Sequence, residues 1–92
     1  MDIELINKAI GLAFQSLREE LGLSRAALAK EAGVSVSCLR HFEQGIRTIK
    51  LATFFDLMDG LKIPTETTLD VMSLAMKNPE KWLAEYEKKK EK

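Results

Sequence analysis

The run SRAALAKEAGVSVSCLRHFEQG, from Ser24 to Gly45, constrains the fold of this chain more than any other segment. Two short helices meeting at a sharp angle need small side chains where they touch and a residue tolerant of positive φ at the corner. They also need apolar residues on the second helix that face back inward. Leu28, Ala29 and Ala32 share one helical face, and the single methyl of Ala29 admits a close neighbour. Gly33 ends that helix where the left-handed conformation costs least. Ser24 and Ser35 are placed to cap the two helices, their hydroxyls accepting from otherwise unpaired first-turn N–H groups. The second helix is predicted over Val36 to Gln44, closed by Gly45. On it Leu39 and Phe42 point inward at i, i+3, which leaves Val36, Ser37, Arg40, His41 and Gln44 on the other side. A core does not account for that outward set.

The rest of the chain reads as helix throughout. Ile6, Ile10, Ala13, Phe14, Leu17 and Leu21 repeat at helical spacing, with Gly22 and Leu23 forming a left-handed cap. Gly11 inside this helix costs about 1 kcal/mol relative to alanine, a sign of close packing or of tolerance. Leu51, Phe54, Phe55, Met58 and Leu61 form the face of a fourth helix. Pro64, with Thr65 as a potential N-cap, separates it from a fifth carrying Leu69, Met72, Ala75 and Met76. Asn78-Pro79-Glu80 starts a sixth by a cap, a proline at the first helical position and an acid in the first turn. Its apolar residues are Trp82, Leu83 and Tyr86.

Ninety-two residues suit one small domain with one core. With no apolar run of about 18 residues and no basic-then-apolar leader, a cytoplasmic protein without membrane partners is expected. One cysteine, Cys38, makes no internal disulfide, and with one histidine it builds no four-ligand zinc site, so neither metal nor cofactor is expected. The 14 basic and 14 acidic residues cancel overall, but their distribution is uneven. Between Ser24 and Lys50 stand Arg25, Lys30, Arg40, Arg47 and Lys50 against Glu31 and Glu43, a net of +3, which leaves −3 on the remainder. Screening acts within about 8 Å at physiological salt, so a local patch of this kind can hold phosphates despite an acidic surface elsewhere.

Leu28, Ala29, Gly33, Val34, Leu39 and Phe42, followed by Glu43 and Gly45, resemble the helix-turn-helix of the Cro and phage-repressor (xenobiotic-response-element-like) DNA-binding family. The resemblance spans residues 10 to 63. It departs at Arg25, where the family usually has glutamine, and at Ile49, where it usually has proline before the fourth helix. It implies an all-α, lambda-repressor-like five-helix domain over residues 1–78, with an additional helix and charged tail over 79–92. It also implies that the N-terminal half of the second motif helix faces base edges. A helix of about nine residues rises roughly 13 Å and fits a major groove about 12 Å wide.

Carried over by position, this implicates Val36, Ser37 and His41, with Arg40 beside them, as base contacts. Val36 suits a thymine methyl, and Arg40 a bidentate pair with guanine. Arg25, Arg47 and Lys50 are expected at phosphates, together with helix-start N–H groups. The family pattern pairs Glu43 with Arg18 as a structural ion pair.

One reading helix covers only about four or five base pairs, so specificity calls for a two-fold dimer on a pseudo-palindrome. Leu69, Met72, Met76, Trp82 and Tyr86 are the dimer-interface candidates, with the alternative that they complete the monomer's own core. The functional expectation is a sequence-specific regulator of transcription acting on double-stranded DNA as a homodimer. A stand-alone repressor and the antitoxin of a toxin-antitoxin pair, bound to a toxin protein, both fit. A protein-interaction module that kept the fold and lost DNA binding is the alternative from another class. One histidine, no glycine-rich phosphate loop and no paired carboxylates at a plausible cleft argue against an enzyme.

Overall fold

Asp2 starts the first helix by accepting from the Leu5 backbone N–H at 3.1 Å, a cap that the pattern of apolar residues does not reveal. The computed structural model describes residues 2–90. Within them six helices follow in order: α1 (Ile3–Glu20), α2 (Arg25–Ala32), α3 (Val36–Glu43), α4 (Leu51–Gly60), α5 (Thr65–Lys77) and α6 (Pro79–Lys90). All regular structure among the described residues is helical. No helix among them is long and apolar enough to cross a membrane.

The helix ends follow from local chemistry. Ser24 Oγ accepts from the Ala27 N–H and Ser35 Oγ from the Cys38 N–H, both at 3.0 Å. Asn78 Oδ1 accepts from the Lys81 N–H at 3.2 Å and so caps α6. At the other end of α2, Gly33 takes φ +74°, and the Val34 N–H reaches back to the Ala29 carbonyl at 3.0 Å. Thr65 is not a cap: α5 begins with it, and the capping position falls to Pro64, which has no side-chain acceptor.

A β-carbon at Gly33 would meet nothing within 4 Å. Gly33→Ala is therefore expected to cost only backbone strain, about 1 kcal/mol. A thermal melt should show a drop of roughly 4–8 °C, recovered in part by Gly33→Asn.

Ala9, Ala13, Phe14 and Leu17 of α1 are buried against Leu28, Ala29, Leu39 and Phe42 of the motif and against Leu57 and Leu61. Three rings lock α1, α3 and α4 together: Phe14 lies 5.5 Å from Phe42 and 6.4 Å from Phe54, and Phe42 lies 6.1 Å from Phe54. Such pairs add about 0.5–1.5 kcal/mol each beyond area burial. The inward face of α4 differs from the sequence expectation. Phe54, Leu57, Met58 and Leu61 face in, whereas Leu51 is 68% and Phe55 51% exposed. The inward stripe runs i, i+3, i+4, i+7 from Phe54, so Leu57, absent from the expected face, is fully buried.

α6 packs on α1 and α5. Leu83 joins the core, Trp82 packs against it, and the Tyr86 ring stacks on Trp82 at 5.5 Å. Burial raises the Tyr86 pKa above its ordinary value, with the negative charges of Glu19 and Glu43 adding to the effect. Where α2 meets the end of α4, Lys62 Nζ donates to Glu31 at 2.9 Å. That hydrogen bond and the Lys62 charge hold the Glu31 carboxyl below its ordinary pKa.

Candidate nucleic-acid interface

Two faces of α3 have opposite fates because its apolar residues recur at i, i+3. Leu39 and Phe42 are buried in the core, and Glu43 at the C-terminal end is buried with them. Val36, Ser37, Arg40 and Gln44 are exposed, and His41 is half-buried at their edge. Arg40 Nη2 donates to Ser37 Oγ at 3.4 Å, so these two side chains lie together along the outer stripe. Gln44, one turn beyond Arg40, continues it.

The loop after α3 is folded back on that helix. Gly45 has φ +74°, and the N–H groups of Ile46 and Arg47 both donate to the His41 carbonyl, at 2.9 and 3.3 Å. A β-carbon at Gly45 would lie 2.6 Å from the Lys8 Cα, so close approach of α1 also demands glycine there. Arg47 and Lys50, in the segment that follows this turn, are both exposed. Neither forms an ion pair among the described residues, and nor does Arg40. Lys50 is the residue before α4 and is exposed.

Arg25 is placed differently. Its Nε donates to Glu43 Oε1 at 2.7 Å and its Nη2 to Gln15 Oε1 at 3.3 Å. Arg18 reaches the same carboxylate from α1, Nε to Oε2 at 2.7 Å and Nη2 to Oε1 at 3.1 Å, while its Nη1 donates to the Leu23 carbonyl at 2.6 Å. The buried carboxylate is thus gripped from two helices. Residue spacing does not reveal the second grip, because Arg25 and Glu43 are 18 positions apart and on different helices.

The five dimer-interface candidates divide. Met72 is buried within the monomer's own core. Trp82 and Tyr86 are half-buried against α1 and against each other. Leu69 is 44% and Met76 50% exposed. They border a groove of about 330 Å³ that Ile10, Phe42, Arg47, Leu51 and Phe54 also line.

A helix-turn-helix family model matches residues 14–67, a span that holds α2, α3 and α4 whole. Among solved structures, the clp gene regulator ClgR from Corynebacterium glutamicum is similar in fold. One crystal structure of it is 22% identical with TM-score 0.69, covering 77% of this chain and 92% of that one. A second is also 22% identical, with TM-score 0.71 and 88% of each chain covered. No curated protein matches the sequence.

Proposed function

We propose that this chain, which belongs to the helix-turn-helix family, is a sequence-specific regulator of transcription that binds double-stranded DNA as a dimer. One observation carries the reading. α3 buries Leu39, Phe42 and Glu43 yet leaves Ser37, Arg40 and Gln44 in solvent, and the segment after it carries exposed Arg47 and Lys50. A helix so anchored presents a fixed polar edge to the major groove. Ser37 and Arg40 read bases, Val36 and His41 border them, and Arg47 and Lys50 hold phosphates. Occupying an operator is enough to repress, and repression is the mode we assign. The chemistry is binding rather than catalysis.

Salt and sequence separate the two kinds of contact. Arg47→Ala should weaken binding to all duplexes alike and flatten the dependence of log K on log salt by about 0.9. Ser37→Ala and Arg40→Ala should instead change the preferred sequence, at about 1–3 kcal/mol for one or two base pairs. Fluorescence anisotropy on an operator selected from a random pool, repeated over a salt series, measures both. A binding partner whose affinity hardly depends on salt would favour the protein-interaction module.

Since α6 spends its apolar residues on α1, the dimer contact is assigned to Leu69 and Met76 on α5. Substituting both with glutamate should convert a dimer to a monomer by sedimentation equilibrium at micromolar concentration. A dimer that survives places the contact elsewhere.

A further inference from the structure

Deepening the reading of α3 as the base-reading helix, we infer that Arg25 is a positioning residue that sets the angle of α3 and thereby the sequence preference. Arg18 already offers Glu43 one compensating charge and a two-pronged grip. Arg25 is therefore not required to neutralise the carboxylate. What it adds is geometry. A single planar guanidinium joins α2, where Arg25 sits, to α3 through Glu43 and to α1 through Gln15. Gln15 is itself held by its Nε2 donating to Glu19 Oε1 at 2.8 Å. The rigid fork of arginine spans both acceptors at once, which the point charge of a lysine does not.

The leverage is large because α3 is short. Glu43 is its last residue, and Ser37 lies six positions back, about 9 Å along the axis. A tilt of about 10° pivoting at Glu43 moves Ser37 by roughly 1.6 Å, more than the range over which a hydrogen bond to a base edge holds. Binding geometry of this kind tolerates only about 0.5 Å. Arg25 is 30% exposed on its side chain, and its Nη1 makes no hydrogen bond among the described residues, so its position near the α2 start also permits a phosphate contact. The two roles make opposite predictions.

Arg25→Lys keeps the charge and removes the fork. Gln15→Ala removes the far anchor without changing charge or the proposed DNA-facing surface. Both variants and the unmodified protein are measured on the selected operator and on a scrambled duplex across a salt series, with a thermal melt of each. A positioning role predicts that Arg25→Lys lowers the ratio of operator to scrambled affinity about tenfold while the salt slope stays within about 0.3 of the unmodified value. Gln15→Ala should shift the ratio in the same direction by roughly threefold, with the melt showing a folded protein. An unchanged ratio in Gln15→Ala overturns the inference, even if Arg25→Lys fails to fold. So does an Arg25→Lys variant that behaves as the unmodified protein, or one that weakens both duplexes equally. If the unmodified protein shows no salt-dependent duplex binding, it is the DNA-binding reading that fails, a result distinct from those three.

Discussion

Replacing Glu43 by alanine is expected to lower the unfolding free energy by about 3–5 kcal/mol, the range seen when one partner of a buried ion pair is removed. The carboxylate accepts three hydrogen bonds from two arginines and is fully buried. Alanine leaves those donors with no acceptor. Arg25 can swing to water, being partly exposed, but Arg18 is 6% exposed and tied by Nη1 to the Leu23 carbonyl, so its charge stays inside unpaired. A domain of this size is stable by only about 5–15 kcal/mol, so the variant should melt at least about 12 °C lower. Glu43→Gln, which preserves shape and one acceptor oxygen, should lose less. The double replacement Arg18→Met with Glu43→Leu should recover much of the loss, since an apolar pair leaves no orphaned charge. Urea unfolding followed by circular dichroism measures all three. A loss under about 1 kcal/mol for Glu43→Ala would mean that water reaches the cluster.

Gly11→Ala gives the second large effect, and its sign is diagnostic. Helix propensity alone favours alanine by about 1 kcal/mol in the interior of α1. Packing opposes it. The added β-carbon would press on the Phe42 carbonyl oxygen and lie 2.6 Å from the Glu43 carbonyl oxygen and 2.8 Å from its carbon. These are backbone atoms at the end of α3 and cannot turn aside as a side chain would. The net expectation is a destabilisation of about 2–3 kcal/mol, against roughly 1 kcal/mol for Gly33→Ala, where the space is open. Because α3 must move to relieve the contact, operator preference should weaken as well. A melting temperature that rises would show that α1 and α3 are not held in close approach.

The motif was legible because its determinants are local. Ser24, Ser35, Gly33 and Asn78 act on their own helix ends, and Leu39 with Phe42 needs only helical spacing to point inward. What stayed hidden depends on contacts between distant segments. The face of α4 was ambiguous because Leu51, Phe54, Phe55, Leu57, Met58 and Leu61 offer two overlapping stripes, and only packing against α1 and α2 chooses the one with Leu57. At Gly11 helical spacing leaves tolerance and close packing both open, and only the fold brings the carbonyls of α3 against it. The place of Arg25 at a helix start points to a phosphate contact, whereas its bonds to Glu43 and Gln15 come from the way three helices converge. In α6 the few apolar residues left dimerisation and core completion open, and the structure places Leu83 in the core with Trp82 and Tyr86 beside it.

The face that meets DNA is tested most directly by an NMR titration of the protein with the selected duplex, following every backbone amide. The expected result is perturbation concentrated at Val36 to Gln44 and at the Arg47 to Lys50 loop, with the amides of α6 unmoved. Perturbation concentrated on α1 and α6, with Ser37 and Arg40 unchanged at saturation, would contradict the account.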